Sequence, residues 1–256
     1  MSHAMRMRMG KAAFAAGLAV MSISSAASAA EIKLMCPAPM LTTITALVEQ
    51  FERVSPHKVT IVHTPSRMII ERIQGGEAFD VSILTAEATD ALIKQGKVAR
   101  RTDIARSSIG LGVRAGTPKP DVSSAEAVKR TLLAAKSFAR NEGAESGKHM
   151  LAVFDRLGIA EEMKGKLVPQ PGGGFHARRV VSGEADLAVQ AEHEIRCTKG
   201  ATFLPYPPAF QRTIVFVGGL GASATGAKAT AASAYLAYLT SADTANTYSA
   251  HCLRRG

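Results

Sequence analysis

Alternating strand-like and helix-like segments run through most of this 256-residue chain. In the first half, short stretches of extended, largely apolar sequence are each followed by apolar residues at helical spacing. The predicted strands are 32–36, 58–63 and 79–84, and the predicted helices pass through 41–54, 68–73 and 92–93. A strand–helix repeat of this kind favours an α/β fold with a mainly parallel sheet that is covered by helices on both faces.

The same alternation continues in the second half of the chain. The predicted strands are 108–113, 136–139, 166–168, 185–189, 202–204 and 213–217, and the predicted helices are 146–157, 175–181, 226–239 and 241–250. Ser123 and Glu126 have the spacing of a capping box, which predicts a helix that begins just after Ser123. Because 46% of the residues are hydrophobic, the chain can bury a substantial core, which argues against disorder.

The first 29 residues have the pattern of a signal peptide. Arg6, Arg8 and Lys11 form a basic start, 12–21 is a short apolar run, and 27–29 reads Ala-Ser-Ala, which fits cleavage near Ala29. The apolar run is far shorter than the roughly 20 residues that a membrane-spanning helix needs. A buried N-terminal helix is the alternative, but it would not explain the basic start. We therefore expect an exported protein, periplasmic in a Gram-negative cell.

Export affects how the cysteines and the charge are interpreted. An oxidising compartment permits one disulfide, and Cys197 and Cys252 are the expected pair because they lie in loop-like or terminal sequence. Cys36 ends an apolar strand and is expected to be a buried free thiol. The formal charge of +10 comes from scattered Lys and Arg residues, so we expect no nucleic-acid partner. This charge would still attract a small anion.

Four segments, in order, carry a resemblance to a known family. They are 34–40 (Leu-Met-Cys-Pro-Ala-Pro-Met), 64–67 (Thr-Pro-Ser-Arg), 76–83 (Gly-Glu-Ala-Phe-Asp-Val-Ser-Ile) and 181–189 (Val-Ser-Gly-Glu-Ala-Asp-Leu-Ala-Val). With the closing helix pair around 234–241, they make residues 31–256 similar to the molybdate-binding-protein branch of type II periplasmic solute-binding proteins. The last two segments are fairly specific together, although either alone would be weak.

The resemblance implies two α/β lobes joined by two crossing strands, with the ligand in the cleft between them. Lobe one would be 30–110 with 215–256, lobe two would be 111–214, and the crossing strands would be 108–113 and 213–217. Ligands of open α/β sheets lie beyond the carboxyl ends of strands, where helix N termini offer free N–H groups to an anion. We therefore expect a monomer that binds a small anion without a cofactor or metal, with an ABC importer as its possible partner.

Two loops depart from what the family resemblance implies for a molybdate site. The first loop, 37–40, has no hydroxyl and two prolines, and the second keeps Ser66 but adds Arg67, whose planar guanidinium matches a carboxylate. Gln190 stands where the family has a ligand tyrosine. These departures predict a small organic anion, such as a di- or tricarboxylate. The predicted ligand-binding residues are Ala38, Met40, Ser66, Arg67, Ser146, Gly147, Gly174, Phe175 and Gln190.

Other residues in these loops have a structural interpretation beside the functional one. Ser66 and Ser146 could simply cap their helices, and the glycines at 172–174 could be a plain flexible loop. Arg140, Lys148, His149 and His176 are each expected at the rim or surface rather than on the ligand. A P-loop-like run at 143–149 has the wrong spacing, and Glu192-His193-Glu194 alone is typical of a solvated helix start.

Two functions therefore remain open. The first is a non-enzymatic binding protein that delivers its anion to an importer, and it requires no catalytic residue. The second is an isomerase, because aconitate isomerases resemble this branch of the family. An allylic proton shift on a tricarboxylate needs an acid and a base within reach of the substrate, and the available residues are His149, His176, Glu192 and His193. We favour the binding protein, and no residue is firmly predicted to be catalytic.

Overall fold

The computed structural model describes residues 28–168 and 175–256. The predicted signal peptide lies almost entirely outside these ranges, as does the predicted ligand residue Gly174. Within the described ranges, no helix is both long enough and apolar enough to cross a membrane.

Strands and helices alternate as predicted, with several shorter elements added. The strands are β1 (Glu31–Cys36), β2 (Lys58–His63), β3 (Val81–Thr85), β4 (Val98–Arg114), β5 (Phe138–Ala139), β6 (Leu167–Val168), β7 (Leu187–Ala191), β8 (Ala201–Pro205), β9 (Thr213–Gly221) and β10 (Arg254–Arg255). The helices are α1 (Ala38–Val54), α2 (Ser66–Gln74), α3 (Ala86–Lys94), α4 (Ala125–Ala134), α5 (Glu145–Leu157), α6 (Ala160–Lys164), α7 (Ala177–Ser182), α8 (Glu192–Arg196), α9 (Gly226–Leu239) and α10 (Ala245–Ala250).

The strands form one sheet with the order β2-β1-β3-β9-β4-β7-β5-β6. Strands β1, β2 and β3 run parallel to one another, as do β5, β6 and β7. Strands β4 and β9 are antiparallel to each other and to the parallel groups on either side. The predicted fold class, two α/β lobes with mainly parallel sheets joined by crossing strands, is therefore confirmed.

Strand β4 belongs to both halves of the sheet. It pairs with β9 from Val98 to Ser108, and from Ile109 onward it pairs with β7 and β8. The sequence predicts only the second part as a strand, because the polar run 100–103 hides the first. The predicted lobe boundaries near residues 110 and 215 stay a prediction, and the change of partners in β4 lies close to the first of them.

The hydrophobic core extends across both halves of the sheet. Strand β1 is buried on both faces at its end, where Leu34, Met35 and Cys36 are all inaccessible to solvent. This is typical of a parallel strand that is covered by helices on both sides. Cys36 is a free buried thiol, as expected. Met40 is also fully buried in the main core of the structure, and its predicted place in the ligand cleft stays a prediction.

Two helix boundaries also differ from the predictions. Helix α4 begins one residue later than predicted, because Ser124, not Ser123, caps it by accepting a hydrogen bond from the N–H of Ala127 at 3.1 Å. Ser123 instead donates its hydroxyl to Asp121 at 2.7 Å. The helix predicted over 241–250 is interrupted by a 3-10 turn, Ala242–Thr244, before α10.

The cap of α4 gives a direct test of this boundary. Ser124→Ala should lower the free energy of unfolding by about 1 kcal/mol, because one N–H of the first turn loses its acceptor. Ser123→Ala is the matched control and should cost clearly less. Urea denaturation monitored by circular dichroism measures both. Equal destabilisation by the two variants would contradict the assignment of the cap to Ser124.

Candidate functional site

Three of the described helices begin beyond the carboxyl ends of strands without a side-chain cap and include the predicted loops. Helices α1, α2 and α5 follow β1, β2 and β5, and their N-cap residues are Pro37, Pro65 and Ala144. None of these caps accepts a hydrogen bond with its side chain, whereas Thr85 caps α3 in this way. The first-turn N–H groups of α2 and α5 therefore lack side-chain acceptors, which is the arrangement that binds anions. Helix α1 offers fewer donors, because Pro39 has no N–H and the N–H of Met40 donates to the carbonyl oxygen of Pro37 at 3.1 Å.

The two predicted serines lie on these first turns. Ser66 is the first residue of α2 and is exposed, and Ser146 is the second residue of α5 and is buried. Neither hydroxyl caps its helix. The alternative in which these serines cap their helices is therefore not what the structure shows. Both hydroxyls stay available to a ligand.

Arg67 does not have the buried setting that a carboxylate receptor would have. Its side chain is 85% exposed, and its Nε donates to Glu71 at 2.8 Å, one helical turn further along α2. An exposed pair of this spacing is common on helix surfaces and stabilises a helix only slightly. In this structure Arg67 is a surface residue, and its role as a ligand residue stays a prediction.

A different arginine is buried at the end of β5. Arg140 was expected at the rim, but only 8% of its side chain is exposed. Its Nη2 donates to Glu142 at 2.9 Å, while its Nε and Nη1 are buried and have no hydrogen-bond partner among residues 28–168 and 175–256. Unpaired donors on a buried cation are rare, because burial removes the water that would otherwise solvate them.

Gln190 has a positioning role in this structure. Its side-chain oxygen accepts from the N–H of Ala177 at 2.7 Å, and its side-chain nitrogen donates to Glu194 at 3.1 Å. Glu194 also accepts from the N–H of Ala191 at 3.3 Å, and burial nevertheless raises the pKa of this carboxyl to about 7. Gln190 thus connects the start of α7 with α8, whereas we predicted it as a ligand residue.

His193 links α8 to α1. Its Nδ1 lies 2.9 Å from the hydroxyl of Ser107, and its Nε2 lies 3.1 Å from the carbonyl oxygen of Pro39. Because a carbonyl only accepts, we assign the proton to Nε2. Burial lowers the pKa of His193 to about 4, so the ring is neutral at pH 7. Its burial contradicts the solvated helix start that the sequence suggested, and neither ring nitrogen is free to act as a base.

The other three isomerase candidates have different surroundings. Nε2 of His149 donates to the carbonyl of Phe210 at 2.8 Å, and Glu192 forms an ion pair with Arg196 at 2.7 Å. His176, expected at the rim, is buried, and neither of its ring nitrogens has a hydrogen-bond partner among the described residues. Burial, with a smaller effect of Arg179, lowers the pKa of His176 to about 4.

The remaining predicted residues also have defined positions. Gly147 packs against the preceding loop so closely that a Cβ would lie 1.8 Å from the carbonyl oxygen of Asn141, so its glycine is required for packing. Ala38 is exposed at the start of α1, and Lys148 pairs with Glu145 on the surface. Among the described residues, no group of three or more His, Cys, Asp or Glu side chains could hold a metal ion.

A cavity of about 740 Å³ lies between α1, α7, α8 and the C-terminal segment. Pro39, Phe175 and His193 line it, so the structure brings together these residues from both halves of the chain. The guanidinium of Arg178 lies 5.3 Å from the centre of the Phe175 ring. Ser66, Arg67 and Ser146 are not among the described residues that line this cavity.

A disulfide joins Cys197, which also lines the cavity, to Cys252, with their Cα atoms 6.2 Å apart. These cysteines are the pair expected from the sequence. The bond links the end of α8 to the segment that follows α10, at a sequence separation of 55 residues.

The depressed histidine pKa values predict a loss of stability in acid. Below pH 6.5 the unfolded chain takes up protons at His176 and His193, whereas the folded chain does so only near pH 4. The free energy of unfolding should therefore decrease as the pH drops from 6.5 to 4. In His193→Gln this decrease should be smaller by roughly 2 kcal/mol. Urea unfolding between pH 7 and pH 4 measures the slope, and an unchanged slope in the variant would contradict the assignment.

Comparisons with known proteins agree on the family. Residues 32–254 match the family described as bacterial extracellular solute-binding protein. An aconitate isomerase from Pseudomonas sp. is 30% identical over 217 residues, which is 80% of each chain. The molybdate-binding protein ModA of Azotobacter vinelandii is 25% identical over 174 residues, covering 68% of this chain and 69% of that protein.

Solved structures show the same fold. The periplasmic molybdate-binding protein of Azotobacter vinelandii superposes with a TM-score of 0.68 at 19% identity, over 87% of this chain and 98% of that one. The substrate-binding domain of a putative molybdenum ABC transporter from Clostridium difficile gives a TM-score of 0.68 at 17% identity, over 89% of this chain and 99% of that one. At these identities the likeness establishes the fold alone.

Proposed function

Because this chain belongs to the bacterial extracellular solute-binding proteins, we propose that it is an exported protein that captures a small organic anion between its lobes. It would then deliver the anion to an ABC importer. Residues 32–254 match the family, so the match includes every element that contributes to the candidate site. The molybdate-binding relatives indicate that this family includes proteins for small anions.

One observation carries the proposal of an anion site. Helices α2 and α5, which follow β2 and β5, begin without side-chain caps, although each has a serine on its first turn. Free N–H groups and free hydroxyls at helix starts, next to the positive ends of the helix dipoles, suit a negatively charged ligand. Their position at the carboxyl ends of strands is where ligands of open α/β sheets bind.

The preference for a carboxylate over molybdate is supported by the first loop. Pro37 and Pro39 donate no N–H, and no hydroxyl is present between them, so this loop has few groups for a tetrahedral oxyanion. Each carboxylate group is planar and has only two oxygens, so the part of an organic anion that lies at this loop needs fewer donors than a tetrahedral oxyanion would. The relative with 30% identity is named for aconitate, which is a tricarboxylate, and this agrees with the preference.

A second candidate function is an isomerase acting on such a tricarboxylate. The observation in its favour is His176. This histidine is buried, neither ring nitrogen forms a hydrogen bond with another described residue, and burial lowers its pKa to about 4. A neutral imidazole can take a proton from the allylic carbon while the double bond shifts, and can return a proton to the other end of the allyl system. No oxidant or cofactor is needed, because one C–H bond breaks and another forms.

Thermal unfolding with added anions tests the binding proposal. With trans-aconitate at about 100 times its Kd, the free energy of unfolding should rise by about 2.7 kcal/mol, which for a chain of this size raises Tm by roughly 5–10 °C. Molybdate and sulfate at the same concentration should shift Tm far less. A shift by molybdate alone would contradict the preference for an organic anion.

Proton NMR separates the two candidate functions. The purified protein is incubated with trans-aconitate, and the cis isomer is followed over time. For a binding protein we expect no conversion above the rate without protein. Conversion by the wild type that is lost in His176→Gln would show that the protein is an isomerase and would contradict the binding-only function. In that case trans-aconitate should still raise the Tm of the variant.

A further inference from the structure

We infer that Arg140 is the residue that recognises a carboxylate group of the ligand, and that Glu142 is bonded to the Arg140 guanidinium only when no ligand is bound. This inference rests on the proposed function and names the group that would distinguish an organic anion from a tetrahedral oxyanion. It comes from a buried cation that has two unpaired nitrogens among the described residues, at the sheet edge where a ligand of this fold would bind.

The position of Arg140 agrees with a role in binding. It directly follows Ala139, the last residue of β5, and precedes the loop that leads into α5. Strand β5 is parallel to β7, and α8 follows β7, so the two strands end at the same edge of the sheet. Open α/β sheets bind their ligands at this edge. The buried Ser146, whose hydroxyl caps nothing, lies on the first turn of the helix that follows Arg140.

The unpaired donors are the main argument. The side chain is only 8% exposed, yet Nε and Nη1 have no partner in the described part of the chain, so an anion bound there would supply hydrogen bonds that these residues do not. Removing a cation from water without compensation is unfavourable, and such groups persist mainly where function requires them. A ligand carboxylate would convert this unfavourable arrangement into a charge-assisted pair.

Glu142 has the properties of a temporary partner. It accepts from Nη2 of Arg140 at 2.9 Å, but its own side chain is 82% exposed. An exposed carboxylate is readily solvated, so Glu142 can return to water when a carboxylate of the ligand takes over its hydrogen bond and the buried guanidinium keeps a partner. Its departure would leave the Nη1/Nη2 edge of the guanidinium open, and a carboxylate of the ligand fits that edge with two parallel hydrogen bonds.

Other arginines near the predicted site do not share this combination. Arg67 is 85% exposed and paired with Glu71. Arg178 lies over the ring of Phe175 and lines the separate 740 Å³ cavity. Carboxylate recognition is therefore assigned to Arg140. Because its guanidinium is planar and matches a carboxylate, carboxylates should bind better than sulfate or molybdate.

Calorimetric titration with trans-aconitate tests the inference on the full exported protein. Arg140→Gln should weaken binding at least about 30-fold, because a buried charge pair is lost. Arg140→Lys should weaken binding about tenfold, because the lysine ammonium cannot form two parallel hydrogen bonds with a carboxylate. Glu142→Gln should bind at least as tightly as the wild type, since the competing carboxylate is gone.

Arg130→Gln is the matched control. Arg130 is on α4, is 70% exposed and lies 3.6 Å from Asp121, so its loss should change the affinity for trans-aconitate less than about twofold. The Tm of each variant is also measured without ligand. Arg140→Gln should not lower this Tm, because it removes a buried cation whose donors are mostly unpaired.

The outcomes separate this inference from the proposed function. If the wild type gives no heat and no Tm shift with trans-aconitate, citrate or succinate, the proposed function itself fails. If the wild type binds and both Arg140 variants bind within about twofold of it, the inference is wrong. If both Arg140 variants lower the ligand-free Tm by several degrees, Arg140 is a structural residue and the inference is also overturned.

Discussion

Strand β4 is the element on which the rest of this structure depends. It pairs with β9 along its first part and with β7 and β8 along its second part, so both halves of the sheet are hydrogen-bonded to one continuous strand. The helix N termini of the candidate site belong to elements on either side of it. The contact between His193 and the carbonyl of Pro39 adds a second link, from the end of β7 to the start of α1. The two sides of the site are therefore positioned by the sheet itself.

Buried polar groups divide into those that are bonded within the protein and those with an unpaired atom. Among the described residues, the second class includes, beside Arg140 and His176, the side chains of His57, Ser82, Thr89, Tyr235 and Ser241. Gln190, Glu194 and His193 are bonded within the protein and hold α7, α8 and α1 in position. Arg140 and His176 are equally removed from water, yet they have unpaired nitrogens. An unpaired buried donor destabilises the folded state, and a guanidinium carries the charge that a ligand anion would pair with. This is why we propose Arg140 as the residue that binds a carboxylate of the ligand.

Much of this was predictable from the sequence, but the roles of single residues were less so. The strand–helix alternation predicted the fold class, and the burial of Met40 could have been inferred because Met40, Ile44, Leu47 and Phe51 share one face of α1. The i,i+4 spacing of Arg67 and Glu71 likewise indicated a surface pair. The burial of Arg140 could not be predicted, since it depends on which distant segments pack over the end of β5, and no local pattern reports that.

A crystal structure of the protein with trans-aconitate tests the central claim most directly. The account predicts a carboxylate of the ligand within hydrogen-bond distance of the Arg140 guanidinium, with Glu142 turned away into solvent. A ligand found instead in the cavity beside Phe175 and the disulfide, with Arg140 still bonded to Glu142, would contradict it.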